Sequence, residues 1–149
     1  MLLISAKPIQ ASRCLESFEK EASGAGAIVS FTGQVRASAE NGAVTMLNLQ
    51  AYSPMTEDGI ASVIVEAEKR WPLHNTMVVH RTGEMRPGET IVFVATASKH
   101  RRAAFEAADF LMDYLKTKAI FWKQESTEGV ATWIEPRSED YTDAARWET

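Results

Sequence analysis

Three lysines, Lys116, Lys118 and Lys123, fall within eight residues of the stretch LKTKAIFWKQE, residues 115–125. Between the last two lies AIFW, an apolar run suited to a buried strand. An ammonium beside packed side chains loses its water, and burial and neighbouring cations both lower a lysine pKa. A lysine tuned in that way can serve as acid, base, nucleophile or oxyanion partner. The alternative is a stem lying over apolar surface with its head in water. The residue pattern alone leaves both open for Lys116 and Lys123.

A second cationic cluster opens SKHRRAAFEAADFLMDYLKTK, residues 98–118, which reads as a helix capped by Ser98. At about 100° per residue, Ala104, Phe105, Ala108, Leu111, Met112 and Leu115 share an arc of roughly 100°, the expected buried face. Arg101 falls inside that arc, Lys116 just outside it, and Arg102 points away. A buried guanidinium without a partner is costly, and a helix N-terminus is already positive. Either Ser98, His100 and Arg101 cradle a phosphate or carboxylate, or Arg101 pairs with an internal acid or bends to water. Phe110 and Tyr114 fall on the expected outer side, where large aromatics mark a protein contact or are covered by a strand of the same chain. FTGQVR, residues 31–36, adds Arg36 at a strand end, beside Gly33, and glycine in a strand marks a bulge or close backbone approach.

The elements that must hold these groups alternate clearly. LLISA is a short strand, and a helix follows Pro8 over about residues 11–22. AIVSFTGQV is a strand, ASAENGA a loop with an Asn41-Gly42 turn, and TMLNLQAY a strand with Leu47, Leu49 and Ala51 on one face. The last is expected to form a hairpin with the strand before it. Ser53 as N-cap and Pro54 in the first turn open a helix whose core face is Ile60, Val63, Ile64, Ala67 and Trp71, ended by Pro72. TMVVHRTG and ETIVFVATA flank the turn RPGE, and IFWKQE and ATWIEP flank STEGV. Residues 140–147 form a last helical turn or a tail. The order β-α-β-β-α-β-β-α-β-β predicts an α+β domain with three main helices and a mainly antiparallel sheet.

At 149 residues and 45% hydrophobic, the chain suits one domain, residues 1–149, with a core of its own. Cys14 is the single cysteine, which excludes an internal disulfide and a multi-cysteine zinc site and fits a reducing cytoplasm. It is expected to be a small core residue of the first helix. His74, His80 and His100 show no metal-ligand spacing. The start MLLISAKPIQ has no basic leader and is not expected to be a signal peptide. No run is long and apolar enough for a membrane span. A net charge of −4 with positive charge clustered locally favours a small anion over nucleic acid.

FTGQVR, SPMTEDGI, WPL, the run from His80 to Glu125, and the later W-I-E together resemble the large, catalytic subunit of molybdopterin synthase, over about residues 27–137. The resemblance implies an α/β hammerhead fold and a cytoplasmic sulfurtransferase without metal or other cofactor. It implies a homodimer within a heterotetramer, with a small ubiquitin-like sulfur carrier at each end. The carrier's C-terminal Gly-Gly thiocarboxylate would thread into the active site. Two sulfur atoms would pass to cyclic pyranopterin monophosphate (precursor Z), opening its cyclic phosphate and making the dithiolene of molybdopterin. No nucleic acid or membrane partner is implied. The matching positions are Gln34, Val35 and Arg36 for substrate binding, and His100 and Arg101 for the substrate anion, often across the dimer. Lys116 and Lys123 match the essential lysines, Gln124 and Glu125 an adjoining binding segment, Phe31 and Met112 pocket walls, and Arg137 a basic residue near the end. On that basis Lys116 would stabilise charge on the thiocarboxylate carbonyl, and Lys123 would position the pterin or shuttle a proton. Three rivals stand beside this expectation: a pterin- or phosphate-binding module, a scaffold for the carrier, and an RNA-binding domain.

Overall fold

Alternation along two central strands decides the architecture. The computed structural model describes residues 1–40 and 42–148. In chain order the elements are β1 (Leu2–Ser5), α1 (Ala11–Glu21), β2 (Ala27–Gln34), β3 (Ser38–Ala39), β4 (Gly42–Ala51), α2 (Met55–Arg70) and β5 (Leu73–Arg81). There follow β6 (Gly83–Met85), β7 (Thr90–Ser98), α3 (Arg101–Thr117), β8 (Phe121–Thr127), β9 (Val130–Trp133) and α4 (Ser138–Ala145). β5 and β7 pair antiparallel at the centre of a four-stranded sheet ordered β1-β5-β7-β2, in which only β1 runs parallel to its neighbour. Met77, Val79, Phe93, Ala95 and Ala97 point to one face and pack on Phe18 of α1. Val78, Val92 and Val94 point to the other and meet Ile60, Ile64, Leu111 and Leu115 of α2 and α3. The period of two thus gives a sheet covered on both sides.

A second sheet, ordered β3-β4-β8-β9 with β6 also on β4, packs its own core of Val35, Val44, Leu47, Leu49 and Met85. Phe121 touches both this core and the one beneath α3, so the two sheets meet at the start of β8. The mainly antiparallel α+β architecture is therefore as expected. The hairpin expected between β2 and β4 is not formed: β2 pairs with β7, while β4 pairs with β3, β6 and β8. Alternation fixes which face a strand buries, not which strand lies beside it. β4 does bury Leu47 and Leu49 on one face. Asn41 of the expected Asn41-Gly42 turn lies outside the described residues.

Helix α3 departs most from its expected orientation. Ala103, Ala107 and Phe110 are buried with Ala104, Ala108, Leu111 and Leu115, whereas Phe105 is 59% exposed and Arg101 is also exposed. The helix packs on two sides, against the sheet and against α2 and α4, so a single arc understates its buried face. Phe110, expected outside, is enclosed by Trp71 and Trp147 at 5.3 and 5.6 Å between ring centres, with the Arg70 guanidinium over its face. Tyr114 is half-buried, its hydroxyl against Gly59, where a Cβ would come within 2.5 Å. Coverage by the same chain, from α2 and from the residues that follow α2 and α4 rather than from a strand, explains both aromatics. The cap expectations also change. Ser98 ends β7 with its hydroxyl donating to the Pro72 carbonyl at 2.8 Å, and α3 begins after His100. Ser53 lies outside α2 and donates to Glu57 at 2.7 Å, leaving Pro54 at the cap position.

Phe110→Ala should therefore cost about 3–5 kcal/mol, the range for emptying an aromatic site. Arg101→Ala, which a buried ion would make comparably costly, should change stability by no more than about 0.5 kcal/mol. Urea unfolding midpoints of the two variants at unchanged slope check the pair.

Candidate active site

The end of β2, the last turn of α3 and the start of β8 converge where the two sheets meet. Gly33 makes the approach possible: a Cβ there would lie 2.8 Å from Val92 Cγ1, and the β2–β7 register shifts at Gly33 and Gln34. Beyond the shift, Val35 turns into the second core with its N–H donating to the Glu89 carbonyl at 2.9 Å. Arg36 is then carried to the mouth of a cavity of about 320 Å³. Its walls are mostly apolar, with Leu47, Leu49, Val92, Leu115 and Ile134 among them, and its polar groups include Arg36, His80, Lys116, Lys123 and Glu125. A second hollow of about 430 Å³ shares Arg36, Lys116, Lys123 and Ile134 with the first and is closed by Phe121, Pro136, Arg137, Asp140 and Tyr141. Three cations thus border both hollows.

Lys116 is exposed on the last turn of α3, where a cation suits the helix dipole. Lys123 is half-buried on β8, two residues after Phe121 and on the same face. Burial, and then the charge of Lys116, bring the Lys123 amine down to about 8, with Asp140 pulling weakly the other way. Burial also lowers His80 to about 4; its hydrogen bond to the Arg81 carbonyl opposes this, and Lys123 and Lys116 reinforce it. Asp140 caps α4: it accepts from the Arg137 N–H at 2.9 Å and from its guanidinium at 3.0 Å. Burial pushes the Asp140 carboxyl up, but these bonds and nearby charges outweigh it and hold it below the ordinary carboxylate range. Glu125 lies 4.0 Å from Arg36, a loose ion pair with the arginine largely in solvent.

The structure places the candidate residues unevenly. Phe31, Gln34, Val35, Arg36, Met112, Lys116, Lys123 and Glu125 line the first hollow, Val35 from a side chain that belongs to the core. Arg137 lines the second. Gln124, between Lys123 and Glu125, lines neither hollow and pairs with Asn48 and Trp133. His100 and Arg101 are exposed at the far end of α3, and Arg101 precedes Lys116 by 15 residues, roughly 22 Å of helix. Within one chain they do not reach the lysines, and Ser98, committed to Pro72, takes no part in an anion cradle. Among the polar residues of the hollows, His80 and Asp140 had not been singled out as site residues. His80 follows Val78 in the buried phase of β5, and Asp140 stands three residues after Arg137, at capping-box spacing. Cys14 is partly buried against the α1 core, and burial raises its thiol pKa. Among the described residues no group of three His, Cys, Asp or Glu could hold a metal ion, and no helix is long and apolar enough to cross a membrane.

An α+β fold with a cationic seam between two sheets is thus the class this chain defines, and known proteins share its fold. Residues 4–118 match the family described as MoaE protein. The molybdopterin synthase catalytic subunit of Cereibacter sphaeroides is 44% identical over 146 residues, covering 98% of this chain and 99% of the relative. A solved molybdopterin biosynthesis MoaE protein from Burkholderia ambifaria superposes with a TM-score of 0.84 at 35% identity, covering 100% of this chain and 98% of that one. The fold recurs at a TM-score of 0.77 and 20% identity, over 92% of each chain, in a Helicobacter pylori structure described as a complex of subunits 1 and 2 of molybdopterin-converting factor. The chain belongs to the MoaE family, the catalytic subunits of molybdopterin synthase, which transfer sulfur in molybdenum cofactor biosynthesis.

The buried imidazole makes stability sensitive to acid. An unfolded histidine protonates near 6.5 and His80 only near 4. Between those values the unfolded chain binds more protons, so stability falls as pH drops from 6.5 to 4, and this group contributes no slope above that window. Urea midpoints at pH 7, 5 and 4 should fall more steeply for the native chain than for His80→Phe.

Proposed function

We propose that this chain moves sulfur from the C-terminal thiocarboxylate of a small ubiquitin-like carrier to cyclic pyranopterin monophosphate, with Lys116 and Lys123 as the reacting pair. The observation that carries the proposal is that Arg36, Lys116 and Lys123, from three separate elements, border both hollows at once. Two anionic guests can therefore meet between them. The apolar walls of the first hollow suit a flat heterocycle, and the more polar lining of the second hollow suits an extended peptide end.

In this reading the carrier sulfur attacks a side-chain carbon of the pterin and displaces an oxygen from it, which either stays on the opened phosphate or leaves with protons as water. A second water then cleaves the acyl–sulfur bond. The sulfur stays on the pterin and the carrier leaves as a carboxylate. Lys116 faces the carbonyl oxygen, where negative charge develops. Lys123, with its pKa near 8, holds a proton it can give or take close to neutrality. Arg36 meets the phosphate, with Gln34, Glu125 and Arg137 around the rim. His100 and Arg101 come from a second copy of the chain, since their own helix holds them away from Lys116. The unit is a homodimer carrying one carrier per subunit, each chain a single domain over residues 1–149, acting in the cytoplasm without metal, nucleic acid or membrane.

Lys116→Ala and Lys123→Ala should each lower product formation by about 100-fold or more while carrier binding persists. The assay mixes protein, precursor and thiocarboxylated carrier and oxidises the product to its fluorescent derivative. Native rates in both variants would overturn the proposal, and ligand retention without product from the native chain would favour a binding module. Sharing across the dimer has its own signature. Inactive Lys116→Ala and inactive Arg101→Ala chains, unfolded and refolded together in equal amounts, should regain about a quarter of native activity. Half of the dimers are then mixed, and each mixed dimer holds one intact site.

A further inference from the structure

One polar side chain in the floor of the first hollow has no part in the chemistry assigned so far. His80 is 3% exposed, and its ring stacks on Phe121 with centres 4.2 Å apart and planes 22° from parallel. Its Nδ1 lies 3.0 Å from the Arg81 carbonyl, an oxygen that only accepts, so Nδ1 carries the hydrogen and Nε2 keeps its lone pair. Nε2 has no partner among the described residues. The ring lines the same hollow as Lys123, amid Leu47, Leu49, Val92 and Leu115.

We infer that His80 is a positioning residue whose Nε2 accepts a hydrogen bond from the Lys123 ammonium. The inference rests on the proposed reacting role of Lys123. Phe121 and Lys123 project from the same face of β8, so the lysine stem runs beside the ring that Phe121 supports. The bond is not made in this structure; it forms as the flexible stem swings within the hollow that both side chains line. A desolvated ammonium needs an acceptor, and the neighbouring charged groups are otherwise engaged. Lys116 from α3 is a like charge. Asp140 from α4 is held by Arg137, and Glu125 of β8 lies toward Arg36. The Arg81 guanidinium of β5 pairs with Glu89. The buried imidazole, with its pKa brought down to about 4, stays neutral across the working range. A neutral acceptor orients the lysine without the strong upward pull that a carboxylate would exert on its pKa, so the proton remains transferable.

The test reads the Lys123 amine directly, by 13C NMR of the full chain labelled at lysine Cε, with the resonance identified by its loss in Lys123→Ala. His80→Phe keeps the stacking and removes the acceptor; His80→Gln restores an acceptor. The Lys123 midpoint should fall by about one pH unit in His80→Phe, a tenfold change in its ionisation constant, and return most of the way in His80→Gln. The Lys123-dependent limb of the kcat profile should move with it while KM for the carrier holds. An unchanged midpoint in His80→Phe, or identical behaviour of the two variants, would overturn the inference. A second measurement needs no histidine variant. The 15N resonance of His80 Nε2 should shift as pH passes through the Lys123 midpoint and stay still in Lys123→Ala; a resonance that ignores Lys123 would overturn it equally. Because both titrations are run without substrate, failure of sulfur transfer and failure of this contact are separate results.

Discussion

Everything at the seam depends on holding two ammonium groups close together with one of them half out of water. Like charges in a shared hollow repel, and desolvation adds to the cost. The arrangement persists because neither lysine chooses its own position. Lys116 rides on a helix clamped on two sides by the first sheet and by α2 and α4, and Lys123 rides on a strand held by β4 and β9. Rigid supports can carry an unfavourable pair that flexible loops would let swing apart. The repulsion is what draws the Lys123 amine toward neutrality once burial has begun the shift.

The seam itself follows from the two sheets packing separate cores. The first sheet buries both of its faces and the second buries one, and Phe121 bridges the core beneath α3 and that of the second sheet. A fold with a single core would fill this space with side chains. Here the two packed units leave a gap with apolar walls and a cationic rim. It can shelter a flat ring while presenting charge to whatever enters beside it.

Much of this was legible in the residues. The glycine of FTGQVR and the alternation of β4 each stated a local fact that the structure repeats, whereas the AIFW run, expected to be buried, is only half-buried, with Ile120 45% exposed ahead of β8. What failed depended on neighbours. An angular count along α3 assumes one buried side; two packing partners brought Phe110 inward and left Phe105 and Arg101 out. The β2–β4 pairing failed because proximity in sequence suggested a hairpin, whereas Gly88 and Glu89 bind Val35 and tie the end of β2 to the β7 side. His80 escaped notice because a lone histidine in a buried phase looks like core. Only the stacked ring, the hydrogen bond at one nitrogen and the open second nitrogen set it apart.

The start of α4 has an implication beyond local folding. The carboxylate that closes the first turn of this helix, Asp140, is also one whose charge reaches both Lys116 and Lys123. Winding the C-terminal segment therefore brings in a counterweight to the two cations, and fraying that segment would carry it away. The tail is thus an electrostatic ballast. Its order sets the local potential that an incoming sulfur anion meets.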